Sequence, residues 1–227
     1  MQRFKLVILS AMAVFSLSAA VSATASAVTP ASFLPEDAFT YTGTGGSGTH
    51  TLLAGSKLEC ASHTSSGSFA AGAKLGPFTI DFKGCKDPTT GATCTGLGEA
   101  SGVILVTGEA HLVVDVESPA LGAGLLFLIS TVHYSCSIIL VELKGEVLCL
   151  IKPVATKTAH FEIVCEETAA GSGDPKETKY WNEAGSEVNI NLTTGGLLDS
   201  VSHMAFKGEA LNTTLLILAS KELTIDA

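Results

Sequence analysis

The chain carries 227 residues, with 13 Lys and Arg against 22 Asp and Glu and a net charge of −9 when the histidines are neutral. Binding to a phosphate backbone runs on counterion release from clustered Lys and Arg, so an acidic chain of this kind excludes nucleic acid from its expected partners. The length suffices for one full core, which points to one domain, with two packed subdomains as the alternative.

Residues 1–27 form the first recognisable element. Met1-Gln2-Arg3-Phe4-Lys5 is a short basic start, residues 6–21 are apolar apart from small hydroxyls, and Ala25-Ser26-Ala27 puts small side chains where a signal peptidase reads. This pattern predicts a signal-peptide helix cleaved after Ala27, with Ala25 as the second choice. The apolar run is too short and too rich in Ala and Ser for a membrane span, and no Cys follows closely enough for a lipid anchor. The mature chain is expected to begin near Val28 and to carry no transmembrane segment. Its expected location is secreted, extracellular or in the cell envelope, where cysteines pair as disulfides.

Residues 28–50 are rich in Ala, Thr, Ser and Gly and are expected to form a flexible N-terminal arm. Within them Gly43-Thr44-Gly45-Gly46-Ser47-Gly48 matches the dinucleotide fingerprint as a string. That motif works where a helix follows the glycines and its N-terminus meets the pyrophosphate. Here Thr49-His50-Thr51-Leu52 reads as strand, so the string is a flexible Gly loop and no cofactor is expected.

Residues 51–227 read as one β-domain. The apolar spacing is mostly two, the period of a strand with one buried face. In 79–83 Ile80 and Phe82 point inward, and in 160–166 Phe161, Ile163 and Cys165 do so. In 109–117 Ala110, Leu112, Val114 and Val116 share the inner face, while Glu109, His111, Asp115 and Glu117 share the outer one with Val113. Residues 121–129 and 138–141 are more apolar and fit strands covered on both faces. Turn signals stand at Ser65-Ser66-Gly67, Pro88-Thr89-Thr90-Gly91, Asn182-Glu183-Ala184-Gly185 and Thr194-Gly195-Gly196, and residues 169–176 make the best long internal loop. The fold class is all-β, an antiparallel β-sandwich or barrel of many short strands stapled by disulfides. A membrane barrel needs aromatic girdles, and the chain has one Trp and three Tyr. The phrase x-Gly-Glu recurs at Gly108-Glu109, Gly145-Glu146 and Gly208-Glu209 with unequal spacing, as reuse of a turn leading into a strand rather than a solenoid repeat.

The six cysteines show no Cys-x-x-Cys spacing, which argues against a zinc knuckle or a thioredoxin-like motif. A disulfide joins Cα atoms about 5.5 Å apart, the separation of facing residues on adjacent strands. Cys85 and Cys94 are symmetric about the Thr89-Thr90 turn, and Cys149 and Cys165 about Lys157. The expected staples are therefore Cys85–Cys94 and Cys149–Cys165, which leaves Cys60–Cys136.

Together with Phe82-Lys83-Gly84-Cys85, the run from Gly145 through Cys149 to Pro153, and Tyr180-Trp181-Asn182-Glu183-Ala184-Gly185, the cysteine pattern resembles a group of uncharacterised secreted, cysteine-containing β-rich proteins of soil actinobacteria. The resemblance runs from about Cys60 to the C-terminus. It implies a bacterial exported protein and carries no activity with it.

The chemistry-bearing residues are sparse. Glu109, His111, Asp115 and Glu117 have the side chains for a metal or acid–base site, but they are spread along one strand face as on any solvated surface. Neither a Gly-x-Ser-x-Gly elbow nor a His-Glu-x-x-His helix occurs, so no catalytic or metal residues are assigned. Tyr180 and Trp181 are the candidate contact for a ligand or partner if exposed, and pack across strands if buried. The expected function is a secreted non-catalytic β-protein that binds an extracellular or envelope partner or contributes structure there. The alternative is an exported hydrolase on the same scaffold.

Overall fold

The computed structural model describes residues 30–52, 57–116, 122–166, 177–182, 184, 186–190, 192–197, 203–207 and 209–227. The signal peptide expected at 1–27, Glu117 and the long loop expected at 169–176 lie outside them. Sixteen strands and no helix occur among the described residues. They are β1 (Ser32–Leu34), β2 (Phe39–Gly45), β3 (Gly48–Leu52), β4 (Lys57–Cys60), β5 (Ser62–Phe69), β6 (Leu75–Lys83), β7 (Cys94–Gly96) and β8 (Val103–Asp115). There follow β9 (Gly122–Cys136), β10 (Ile139–Lys152), β11 (Thr158–Cys165), β12 (Lys179–Trp181), β13 (Glu187–Asn189), β14 (Leu192–Leu197), β15 (His203–Lys207) and β16 (Glu209–Asp226).

Eight of them close a barrel. β8, β6, β5, β2, β16, β11, β10 and β9 pair in that order, all antiparallel, and β9 returns to β8. Closure leaves these staves no free edge along their shared length. Several are long rather than short, up to the 18 residues of β16, and their ends reach beyond the barrel to hold further strands. β16 takes β3 on Glu209–Asn212, β2 on Leu215–Ala219 and β1 on Thr224–Asp226, and β10 shares one edge between β14 and β11.

The described part of the arm expected at 28–50 holds instead β1, β2 and the start of β3, and β2 is a stave of the barrel. Its inward residues are Phe39, Tyr41, Gly43 and Gly45, and the glycines there are cut to fit rather than loose. A Cβ at Gly43 would stand 2.5 Å from Ser65 Oγ. Ser65-Ser66-Gly67 is likewise the middle of β5, not a turn, because Gly67 gives its volume to the Tyr41 ring. Thr194-Gly195-Gly196 also lies within a strand, β14. Pro88-Thr89-Thr90-Gly91 does turn, with Asp87 Oδ1 accepting from the Thr89 N–H at 2.8 Å. At the other hairpin, Asn182 Oδ1 accepts from the N–H groups of Ala184 and Ser186.

Gly108 and Gly145 lie in mid-strand, not where a turn leads into one. Both pair with Ile129, from its two sides, and a register shift between Leu143 and Gly145 marks a bulge. A Cβ on Gly108 would stand 2.0 Å from the Leu128 carbonyl oxygen. In β10 the Gly-Glu thus stands at the bulge and in β8 it lets β9 approach closely, while Gly208 lies outside the described residues.

The main core lies inside the barrel, with Ala110, Leu112 and Val114 inward as the alternation requires. At one end Phe33, Phe39 and Phe69 pack with centroids 4.9–5.2 Å apart. Ala123–Phe127 is buried on both faces, because Val113, Leu126 and Leu148 form a second cluster outside the barrel wall under Tyr180 and Ile190. The outer face of β8 is therefore covered from Val113 to Asp115. Ile138, expected in a buried strand, sits exposed in the β9–β10 turn beside Ser137, whose φ is 59°.

The disulfides are Cys60–Cys85, Cys94–Cys136 and Cys149–Cys165. The last is the expected hairpin pair; Cys85–Cys94 and Cys60–Cys136 are not formed. Cys85 and Cys94 do face each other in register, but as a hydrogen-bonded pair, with the Cys94 N–H on the Cys85 carbonyl at 2.9 Å. Such pairs are the wide ones in an antiparallel ladder. On their other flanks Cys60 and Cys136 come within 4.0 and 4.1 Å, Cα to Cα, and take them. The four sulfurs make two bridges side by side in one row across the sheet.

Candidate functional site

An eight-stranded barrel is just wide enough to be filled by side chains or to hold one small ligand. Here the filling is incomplete, and a cavity of about 80 Å³ remains. Its surface is almost wholly apolar, with Phe78, Phe82 and Phe127 prominent, and carbon atoms of His50, His63, Tyr134 and Thr213 complete the lining.

His63 is placed by its strand. β5 alternates, so His63 points inward with Ser65, and it pairs in register with Gly45 of β2 and Phe82 of β6. Gly45 is required there, because a Cβ would lie 2.1 Å from the imidazole. The ring stacks at a tilt on Phe82, centroids 5.3 Å apart, and Nδ1 lies 3.2 Å from the Gly46 carbonyl oxygen. A carbonyl only accepts, so Nδ1 carries the proton. Burial lowers the pKa below its ordinary value of 6.5, more than the Gly46 bond raises it, and the neutral ring then offers Nε2 as an acceptor. His63 is 2 % exposed, and Nε2 has no hydrogen-bond partner among the described residues. Thr213 Oγ1 also has no hydrogen-bond partner among the described residues, and Thr213 is another lining residue of the cavity.

The residues singled out in the sequence lie elsewhere. Glu109 is exposed, His111 is half-buried, and Asp115 is buried on the outer wall opposite Tyr180. Tyr180 packs in the outer cluster, where burial and then the charge of Glu146 raise its pKa, while Trp181 packs half-buried against the main core. His133 stands 3.1 Å from Glu142 on the neighbouring strand, away from the 109–115 face. Lys144 donates to the other oxygen of Glu142 at 3.0 Å, and these two bonds, Lys144 first, hold that carboxyl below the usual range. Among the described residues no three His, Cys, Asp or Glu converge to hold a metal. An open groove runs over the bend of the wall, where Glu109 and Glu146 flank Leu128. Two strand spacings separate them, roughly 9–10 Å, too far for a shared proton.

The cavity was not legible in the sequence. Its one signal was the inward parity of His63 among small residues, which reads as a turn until β5 is known to be a stave.

Fold and site together define a disulfide-stapled, closed antiparallel barrel with an apolar interior cavity. No protein-family model matches the chain, and comparison with curated proteins and with solved structures gives no match.

Proposed function

We propose that the chain is an exported, non-catalytic bacterial protein of the extracellular space or cell envelope that acts by binding. The observation that supports this most is the interior cavity of the closed barrel, with its apolar walls. Catalysis needs a nucleophile, an acid or base and charge stabilisers within hydrogen-bond reach, whereas Glu109, His111 and Asp115 are dispersed along the outer wall. The leader pattern at 1–27 argues for export, and three disulfides are consistent with an oxidising compartment.

The test uses secreted protein. N-terminal sequencing is expected to read from Val28, and a panel of ester, glycoside and peptide substrates to give no turnover above a heat-inactivated control. Turnover that His111→Ala abolishes, with folding and secretion unchanged, would establish the hydrolase instead.

A further inference from the structure

We infer that the barrel interior takes up a small, uncharged and wholly apolar molecule, which enters through a seam in the wall between β8 and β9. This deepens the binding reading and rests on it. The cavity surface is almost wholly apolar, so a water inside would lack the polar partners that hold a buried water in place. A charged or hydroxylated molecule would lose its hydration there and find nothing to replace it. Native interiors leave few voids larger than one water, which needs about 10–15 Å³, whereas about 80 Å³ stays open here. The walls are already built of large side chains, Phe78, Phe82, Phe127, Tyr134 and Leu143 among them. The space therefore comes from the width of the barrel and not from a shortage of bulk. An apolar cavity of about 150 Å³ stays dry and binds benzene or xenon, and this one, about half that size, suits a smaller guest.

The wall offers a way in. β8 and β9 pair from Gly108 with Ile129 to Asp115 with Gly122, and on the other side of Gly108 they part. Residues 103–107 keep β6 as their neighbour and residues 132–136 keep β10, but among the described residues no ladder joins the two stretches to each other. β7 closes the far end of this fork by pairing Cys94–Gly96 with 134–136, and the Leu97 N–H donates to the His133 carbonyl at 2.9 Å. Ile104 and Val106 on one side of the seam, and Ile129 and Tyr134 on the other, all line the cavity, so the seam lies over it. Leu97 and Leu105, both exposed, stand at its outer lips. At its foot the outer groove shares Phe78 and Ile129 with the cavity lining, so a single layer of residues separates that groove from the interior.

The probes are xenon, propane and ethanol, the last two alike in size and differing by methyl against hydroxyl. In the secreted, oxidised protein with ¹³C-labelled methyl groups, xenon and propane are expected to shift the resonances of Ile104, Val106, Ile129 and Leu143 saturably. Ethanol is expected to bind at least about tenfold more weakly than propane, the cost of one buried hydroxyl left unpaired. Val106→Phe, which fills the space from β8, is expected to abolish the shifts. Should that variant not fold, the pattern of shifted methyls in the wild type locates the guest instead. Leu97→Trp, bulkier at the lip and outside the interior, is expected to slow exchange of the guest and leave its affinity unchanged. Absence of saturable shifts, or shifts confined to exposed methyls such as those of Leu216 and Leu218, would overturn the interior site. Ethanol binding as tightly as propane would overturn the apolar class and leave a binding barrel, and unchanged exchange in Leu97→Trp would overturn the seam. None of these results bears on catalysis, which the substrate panel decides separately.

Discussion

At the scale of single residues, two neighbouring glycines carry opposite requirements. Gly45 sits against the His63 ring, and a Cβ there would also stand 2.6 Å from the Thr214 carbonyl oxygen; at Gly46 a Cβ would meet nothing within 4 Å. Gly45→Ala is expected to cost roughly 1–3 kcal/mol, as overpacking does. Gly46→Ala is expected to be neutral or to stabilise by up to about 1 kcal/mol, by restricting the unfolded chain. Denaturant titration of the two variants checks this, and equal losses would show that the His63 ring does not lie where it is drawn. Nothing in the letters Gly45-Gly46 separates them. Both read as loop, because the sequence records that a residue is small but not what occupies the volume it gives up. His63 was obscure for the same reason, since parity assigns a face only once the strand is known.

At the scale of elements, the strands most legible in the sequence were those with one dry and one wet face. Ile80 and Phe82 in β6, and Phe161, Ile163 and Cys165 in β11, point inward as their alternation predicts. In β8 the alternation holds from Ile104 to Leu112 and then fails, because Tyr180 and Ile190 pack over the outer wall at Val113, a contact between distant segments that local periodicity does not contain. The cysteines teach a similar lesson. Symmetry about a turn found that Cys85 faces Cys94 but not whether the pair was wide or narrow, and the narrow pairs took the sulfurs. Non-reducing peptide mapping is expected to recover Cys60–Cys85, Cys94–Cys136 and Cys149–Cys165. Replacing each pair by Ala is expected to cost about 2–5 kcal/mol. The separations of 25, 42 and 16 residues order the chain-entropy losses, largest for Cys94–Cys136, within a spread of about 1 kcal/mol. A fragment joining Cys85 to Cys94 would overturn the row.

At the scale of the whole molecule, an all-β antiparallel fold was legible, but its closure was not. Sandwich and barrel share the same alternation, and what separates them is which strand the last one meets. The last one is β16, and it meets β2 and β11. Ending the chain before Thr213 removes a stave, and the truncated protein is expected to lose its cooperative unfolding transition and near-ultraviolet circular dichroism. Retention of both would mean that the remaining strands form a stable sheet without closure. The same arrangement also bears on timing. Among the described residues β1 pairs with β16 alone, and β2 and β3 each lean one edge on it, so these strands wait for one made much later. A barrel of this topology cannot close before β16 has been made. Until then β2 and β11 lack the stave that joins them, and the closing strand acts as a delay on the native barrel.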